Sequence, residues 1–212
     1  RGGGQAGAAR GYRSGEKSDE GRYLMVRVAP DELQTLGRRQ PLDLVIVVDT
    51  SADTDPSELL LARATLGALL GHLDKDDRVA VLGADLDLRA TGKGKPVLGP
   101  ASAKAREAAL EALSRREVGG ATDLGRVLTE AAGLLDAKRG GAVVYLGDGV
   151  PTVGEMDAAA LRKRLERLAR PVRLYGVAVG PEADLGLLTG LASYEGGLAL
   201  RVSDRAEAAS AA

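Results

Sequence analysis

The chain has 212 residues, of which 44% are hydrophobic and 28% charged, with a formal net charge of -1. This is a globular composition, and the near-zero charge, with no Phe or Trp, argues against general binding of nucleic acid or anionic membranes. The lack of Cys excludes disulfides and thiolate metal sites, and no apolar stretch reaches the roughly 20 residues that span a bilayer, so we expect no direct membrane insertion.

The first 40 residues are predicted to lie outside the main domain. Residues 1–21 are rich in Gly, Ala and charge with almost nothing to bury, which predicts a flexible linker or tail. Residues 22–40 contain a short predicted strand at 22–28 and a connector, consistent with the end of an upstream domain. Because the chain starts at Arg1 rather than Met, we expect a piece of a longer protein, whose localisation the sequence leaves unknown.

The apolar run at residues 42–48 is predicted to be a central parallel strand, since it is rich in Leu, Val and Ile and bounded by polar residues. Helices and strands then alternate. Strands are predicted at 78–82, 142–146, 171–179 and 198–202, and helices at 55–73, 102–116, 124–137, 157–169, 184–194 and 205–212. The last helix looks truncated.

This alternation predicts an α/β fold of the Rossmann-like, doubly wound type, with helices on both faces of a mainly parallel sheet. Residues 86–98 are expected to add one antiparallel edge strand in a hairpin-like arrangement, with the turn at residues 92–96. Asp55 is predicted to be the N-cap of the first helix, because Pro56 and Glu58 follow it.

Polar residues follow two of the predicted central strands. Asp49, Thr50, Ser51, Ala52 and Asp53 come after the first, and Asp148 comes after the strand at 142–146, between two glycines. Thr122 lies in a glycine-flanked loop before a helix. Ligands of open α/β sheets bind beyond the carboxyl ends of the strands. We therefore expect these side chains in one crevice, where carboxylate and hydroxyl oxygens suit Mg²⁺, Mn²⁺ or Ca²⁺.

This constellation resembles the metal-ion-dependent adhesion site of von Willebrand factor type A domains, written D-x-S-x-S, a distant Thr and a distant Asp. Asp49 and Ser51 match the first motif, Thr122 in GGATDLG the second, and Asp148 in LGDGVPTVGE the third. The DG-x-PT setting is typical of bacterial members. The resemblance covers residues 41–212. The stretch GRYLMVRVAP also resembles the sequence that joins a VIT domain to a type A domain in inter-alpha-trypsin-inhibitor-like proteins.

The resemblance implies a protein-interaction or adhesion module rather than an enzyme. A divalent metal, Mg²⁺ first and Mn²⁺ or Ca²⁺ as alternatives, would be held directly by Ser51 and Thr122, with Asp49 and Asp148 binding directly or through water. One metal position would remain for an acidic residue of a partner protein or of another domain of the parent chain. The resemblance also favours an extracytoplasmic or cell-envelope location.

Asp53 departs from the family pattern, because it occupies the position of the last Ser of D-x-S-x-S. One alternative is that Asp53 is an additional, internal metal ligand, so that three carboxylates face the cation and Ca²⁺ becomes a better fit. The other is that Asp53 caps the following helix and leaves a weakened or empty site. In that case the domain would be a degenerate, metal-free scaffold in a larger assembly.

Two further interpretations follow from single features. Asp49 and Gly147-Asp148 superficially fit a Mg²⁺-dependent phosphohydrolase of the haloacid dehalogenase kind, but that chemistry needs a second Asp at the position of Ser51. The basic residues of the helix at 157–169 are either its solvated face or a docking surface for an acidic partner; they are Arg162, Lys163, Arg164, Arg167 and Arg170.

Overall fold

The computed structural model divides into two compact units, Arg1–Gln40 and Pro41–Ala212. It describes residues 10–12, 23–25, 40–90 and 94–211. In the first unit, strands β1 (Arg10–Tyr12) and β2 (Tyr23–Met25) pair antiparallel. β1 falls within the predicted linker or tail and β2 within the predicted leading strand. The remainder of both predictions lies outside the described residues.

The second unit is built on one seven-stranded sheet. Its strands are β3 (Leu42–Asp49), β4 (Arg78–Ala84), β5 (Leu88–Ala90), β6 (Gly99–Pro100), β7 (Gly140–Gly147), β8 (Arg173–Val179) and β9 (Ala199–Val202). They lie in the order β5-β4-β3-β7-β8-β9, with β6 also paired to β4. The central strands are parallel to one another, and β5 and β6 are antiparallel to β4. The predicted mainly parallel sheet with an antiparallel edge is confirmed.

The predicted hairpin-like edge is formed by β4 and β5, but its turn lies at residues 85–87 and not at 92–96. β5 and β6 do not turn back on each other; both pair with β4, with Leu88 opposite Ala84 and Pro100 opposite Arg78. β3 occupies the other side of β4, so the two short strands cover backbone groups that would otherwise form an open sheet edge. The loop between them includes residues 91–93, which lie outside the described residues.

Each α-helix in the described part of the chain begins directly after an acidic or hydroxyl residue whose side chain accepts a hydrogen bond from the first turn. The helices are α1 (Pro56–Gly71), α2 (Ala103–Ser114), α3 (Leu124–Gly133), α4 (Ala158–Leu165), α5 (Leu185–Ala192) and α6 (Arg205–Ser210). α3 and α4 each end four residues earlier than predicted. None of the described helices is long and apolar enough to cross a membrane.

The core lies on both faces of the sheet because successive side chains of a strand point in opposite directions. Val45 and Val47 of β3 pack in a cluster that includes residues of α3, α4 and α5. Ile46 and Val48 pack in a second cluster with residues of α1, α2 and α6. β3 is therefore covered on both sides, and its last residue, Asp49, is carried to the carboxyl edge of the sheet.

Candidate functional site

Asp49 is the last residue of β3, and only 2% of it is exposed. Its Oδ1 accepts a hydrogen bond from Ser51 N at 2.9 Å, and its Oδ2 accepts one from the Tyr145 hydroxyl at 2.5 Å. The Thr122 hydroxyl lies 3.5 Å from the same Oδ2. All three donors are electrically neutral. None of the ion pairs among residues 40–90 and 94–211 includes Asp49.

The other end of β3 also carries a buried carboxylate, that of Asp43, which has no exposed surface. Arg78 donates to it through Nε at 2.9 Å and Nη2 at 2.6 Å, and Arg139 donates through Nε at 2.9 Å. These bonds, those of Arg78 first, hold the pKa of Asp43 below its usual value despite burial. One strand therefore carries one buried carboxylate with positively charged partners and one without.

The hydroxyls predicted to hold a metal, those of Ser51 and Thr122, lie in loops whose residues are only 2% exposed at these positions. The Ser51 hydroxyl is 3.4 Å from the Thr54 hydroxyl, a weak contact. The contact of the Thr122 hydroxyl with Asp49 Oδ2 is similarly long, at 3.5 Å. Both hydroxyl oxygens are therefore buried polar atoms with long contacts, which leaves their lone pairs available to a cation.

Three loops carry the residues of the predicted site: residues 50–55 after β3, residues 115–123 before α3, and residues 148–157 after β7. The first two are joined by Gly119 N donating to Thr50 O at 2.9 Å and Ala52 N donating to Gly120 O at 3.0 Å. The last two are joined by hydrogen bonds between Thr152 and Thr122. Backbone hydrogen bonds thus connect the segments that the sequence predicts to form one site.

Thr152 holds Thr122 in place from both sides of its backbone. The Thr152 hydroxyl accepts from Thr122 N at 2.8 Å, while Thr152 N and Val153 N donate to Thr122 O at 3.0 and 3.2 Å. Sequence reasoning assigned Thr152 no role, although it stands in the quoted DG-x-PT motif. Its side chain replaces a backbone acceptor that the loop itself does not provide.

Asp148 follows β7, the neighbour of β3, and is partly buried. Its Oδ1 accepts from Val150 N at 2.9 Å. Burial first, and then the negative charges of Asp49, Glu58 and Asp53, raises the pKa of Asp148 to about 6. The repulsion by nearby carboxylates is what a cation at this edge would remove.

The glycines beside Asp148 are required by close packing. A Cβ on Gly147 would lie 2.5 Å from the Cβ of Asp49 and 2.7 Å from the Tyr145 hydroxyl. Gly149 has φ of +71°, and a Cβ there would lie 2.7 Å from the Leu188 side chain. Larger residues at either position would displace the carboxylates of the site.

Asp53 is exposed and makes no hydrogen bond or ion pair with a described residue. The prediction that Asp53 caps the following helix is wrong. α1 starts at Pro56, and Asp55 is its N-cap, accepting from Ser57 N at 2.7 Å while Glu58 accepts from Asp55 N. A cap must directly precede the first helical residue, and Asp53 lies two positions too early.

Among the described residues, no group of three or more His, Cys, Asp or Glu side chains is placed to hold a metal ion. A cation at this edge would have the hydroxyl oxygens of Ser51 and Thr122 available beside the carboxylates of Asp49 and Asp148. This oxygen donor set has the chemistry of a hard divalent cation.

Sequence reasoning also missed Tyr145. It is fully buried, and burial together with the nearby charges of Asp49 and Asp148 raises its pKa well above its usual value of 10.0. The phenol therefore stays protonated and donates to Asp49. A single Tyr in an otherwise apolar strand, three residues before Asp148, is the signal that could have indicated this contact.

The basic residues of α4 and its C-terminal flank are largely used inside the domain. Arg164 donates to both carboxylate oxygens of Glu155 at 3.1 and 2.9 Å. Arg170 donates to the backbone oxygens of Asp136 and Leu135, and Arg162 is 3.5 Å from Glu166. These contacts favour a structural role over a docking surface for an acidic partner.

A family model described as von Willebrand factor type A domain matches residues 42–200, which is most of the chain. The chain belongs to the von Willebrand factor type A family. Asp49 ends β3 and Asp148 follows β7, so both residues of the family motif lie at the carboxyl edge of the sheet. Type A domains are in general protein-interaction and adhesion modules rather than enzymes.

One curated relative is the human inter-alpha-trypsin inhibitor heavy chain H2, which is 22% identical over 191 residues. The match covers 85% of this chain and 19% of that relative. The chain thus spans about a fifth of the relative's length. The similarity agrees with the predicted resemblance to inter-alpha-trypsin-inhibitor-like proteins.

Solved structures share the fold. A von Willebrand factor type A protein from Catenulispora acidiphila is 21% identical with a TM-score of 0.71, covering 81% of this chain and 41% of that one. An aerotolerance-related membrane protein from Bacteroides fragilis is 16% identical with a TM-score of 0.61, and the match covers 80% of this chain and 96% of that one. Proximal thread matrix protein 1 from the mussel byssus, described with a zinc-occupied MIDAS motif, is 14% identical with a TM-score of 0.56. The match covers 81% of this chain and 46% of that one.

Proposed function

We propose that this type A domain binds a divalent cation, Mg²⁺ first and Mn²⁺ or Ca²⁺ as alternatives, and through it an acidic residue of a partner. The partner is a separate protein or another domain of the parent chain. Asp49, Ser51, Thr122 and Asp148 would hold the cation. The observation that carries the proposal is the buried Asp49 carboxylate, which has neutral donors and no positively charged partner in the described part of the chain.

A buried carboxylate without a counter-charge is costly, because the interior solvates charge less well than water does. Nearby Asp148 adds to this cost, as its raised pKa indicates. A divalent cation offsets both negative charges at once, and hydroxyl oxygens complete its shell without adding charge. A cation neutralised by only two carboxylates can still accept a third from a partner.

Asp53 would act on this site by its charge and as an additional, internal ligand if its loop moves inward. Its exposed carboxylate already contributes to the raised pKa of Asp148. It would compete with the carboxylate of a partner for the cation. Replacing Asp53 with Ser, the residue of the family motif, is expected to strengthen metal-dependent binding of an acidic partner; unchanged affinity would contradict the role of Asp53.

We further propose that the domain catalyses no reaction. The phosphohydrolase interpretation needs a general acid where this chain has Ser51, whose hydroxyl cannot supply that function at neutral pH. Hydrolysis of a generic phosphate ester by the purified protein, lost in an Asp49→Asn variant, would contradict this proposal.

We place the protein at the cell envelope or outside the cytoplasm. The support is the resemblance itself together with a fold shared with a membrane protein of Bacteroides fragilis. Fractionation of cells that express the full-length parent protein tests this. Recovery of the protein entirely in the soluble cytoplasmic fraction would contradict it.

Calorimetric titration of Mg²⁺, Mn²⁺ and Ca²⁺ into chelator-stripped protein tests the metal proposal. Binding is expected to disappear in Asp49→Asn and Asp148→Asn. Asp123→Asn is the matched control, because it changes a neighbouring carboxylate that caps α3, and Asn caps helices equally well. Saturation at about 100-fold above Kd should stabilise the fold by about 2.7 kcal/mol.

Absence of metal binding in the unmodified protein would overturn the proposal. The domain would then be a metal-free scaffold, as the departure at Asp53 allows. Equal loss of binding in Asp123→Asn would instead show that the carboxylates of this edge act through general charge and not as ligands.

A further inference from the structure

Exposed apolar side chains are concentrated around the proposed site. Nine large hydrophobic residues are exposed in the described part of the chain, and five of them lie in loops at the carboxyl edge of the sheet. We call these five the apolar rim; they are between 37% and 56% exposed and comprise Leu86, Val118, Val150, Val153 and Met156. Surface hydrophobic residues scattered singly need no explanation, but a group around one site does.

Two rim residues are bonded directly to the proposed metal ligands through their backbones. Val150 N donates to Asp148 Oδ1 at 2.9 Å, and Val153 N donates to Thr122 O at 3.2 Å. These bonds hold the two valines next to the proposed ligands, and both side chains are partly exposed there. Met156, at 56% exposed, belongs to the same loop.

The other two rim residues are Val118, within the loop at 115–123, and Leu86, after β4. Val118 directly precedes Gly119, whose N donates to Thr50 O at 2.9 Å. Gly120 has φ of +79°, and a Cβ on it would lie 3.7 Å from Leu86 N. Val118 thus belongs to the loop that carries Thr122, and Leu86 lies beside Gly120 of the same loop.

Charge narrows the kind of partner further. Three arginines near this edge are already paired with carboxylates: Arg116 with Asp85 at 3.3 Å, Arg126 with Asp87 at 2.8 Å, and Arg164 with Glu155. Arg201 donates to the backbone oxygens of residues 180, 181 and 183. The exposed carboxylate of Asp53 has no such partner among the described residues. Apart from the cation, the surface around the site therefore favours basic residues in a partner and disfavours acidic ones.

We propose that the apolar rim selects partner segments in which one Asp or Glu is flanked on both sides by large apolar residues, with basic rather than acidic residues beyond them. This rests on the proposed function, since the cation is what binds the carboxylate. The apolar neighbours of that carboxylate bury the rim, and the basic residues face Asp53. The rim supplies the specificity that a cation and one carboxylate lack.

Immobilised peptides of matched length, measured with the full 212-residue chain, test the proposal; the two Asp peptides also carry the same net charge. The three peptides have the cores Lys-Leu-Asp-Leu-Lys, Lys-Ser-Asp-Ser-Lys and Lys-Leu-Asn-Leu-Lys, each measured by biolayer interferometry in Mg²⁺ and in chelator. The Leu-flanked Asp peptide is expected to bind about tenfold more tightly than the Ser-flanked one, since each Leu buries part of its apolar surface. The Asn peptide should not bind.

The double variant Val150→Ser with Val153→Ser is expected to remove the preference for Leu over Ser while Asp is still preferred over Asn. Val97→Ser is the control: this residue is 64% exposed on the antiparallel edge and should leave the preference unchanged. Thermal unfolding of all variants verifies that each is folded.

The outcomes separate the two proposals. Equal binding of the Leu-flanked and Ser-flanked Asp peptides, or binding of neither while calorimetry still detects Mg²⁺, overturns the role of the apolar rim and leaves the metal site standing. Loss of the preference in Val97→Ser also overturns it. If calorimetry detects no metal, the proposed function fails, and the rim proposal fails with it.

Discussion

The two ends of β3 solve the same electrostatic problem in opposite ways. Asp43 is the second residue of the strand and Asp49 the last, and both are buried between neighbouring parallel strands. Asp43 has hydrogen bonds from two arginines, while Asp49 has bonds from a backbone amide and a phenol. The first end is electrostatically complete within the domain. The second would be completed by a cation from outside.

The surroundings of the two ends differ in the same sense. Near Asp43, Asp77 Oδ1 accepts from Leu42 N at 2.9 Å, and Arg139 also donates to Asp76 O at 2.9 Å, so side chains tie the strand to its neighbours. At the Asp49 end, loops without regular structure are joined by backbone hydrogen bonds and by side chains such as that of Thr152. The two ends therefore differ mainly in the charge of the groups around the buried carboxylate, positive at Asp43 and neutral at Asp49.

The largest expected effect comes from breaking the completed end. Asp43→Asn leaves Arg139 without this carboxylate partner and Arg78 with Asp136 alone, at 3.1 Å. The free energy of unfolding should fall by about 3 kcal/mol, the lower part of the range for breaking a buried pair, because Arg78 keeps one counter-charge and both arginines are partly exposed. Urea denaturation at neutral pH measures this. A loss below about 1 kcal/mol would show that water screens the pair.

The pH dependence of unfolding sharpens the same point. The folded-state pKa of Asp43 lies below its usual value of 3.8, chiefly because of Arg78. Its stabilising contribution is therefore complete above about pH 4 and is lost as the pH falls through the lowered folded-state pKa. Urea midpoints measured down to about pH 2.5 should fall less steeply for Asp43→Asn than for the unmodified chain. Parallel curves would contradict the assignment.

At the uncompensated end, the phenol of Tyr145 is the principal compensation for Asp49. Tyr145→Phe keeps the ring and removes one hydrogen bond to a charged acceptor, which should cost about 2 kcal/mol in chelator. The cost should be smaller in saturating Mg²⁺, because the cation then offsets the charge of Asp49. Thermal unfolding under both conditions tests this, and an equal cost in both would argue against a cation beside Asp49.

The smallest expected change in stability is that of Asp49→Asn. In chelator this variant should change the free energy of unfolding by less than about 1 kcal/mol, since it removes an uncompensated charge and retains a hydrogen-bonding side chain. The contrast with Asp43→Asn in the same assay is the direct test of the comparison. A loss as large as that of Asp43→Asn would show that Asp49 is structural.

Sequence patterns predicted the architecture well because apolar runs and helix caps are local signals. The run at 42–48 and the Asp55-Pro56-Glu58 start were enough to locate β3 and α1. The edge at 86–98 was predicted less well, because whether two short strands pair with each other or with β4 depends on which edge is open. That is a property of the assembled sheet.

The candidate site also has residues that the sequence motifs indicated and contacts that they did not. The order of Asp49, Ser51, Thr122 and Asp148 was readable from motifs, and Asp53 was readable as a departure. The contacts of Tyr145 and Thr152 were not, because each joins segments that are distant along the chain. No local pattern states which side chain will face a given carboxylate across a sheet.

The amino-acid sequence by itself determined the alternation of strands and helices, the start of α1 after Asp55, and the motif that indicates the type A family. Only the tertiary structure decided that Asp43 has positively charged partners while Asp49 has neutral ones, and that several exposed apolar residues lie in loops at the carboxyl edge of the sheet. The physical reason is that periodicity and capping act within a few residues, whereas charge compensation and burial depend on neighbours that folding brings together.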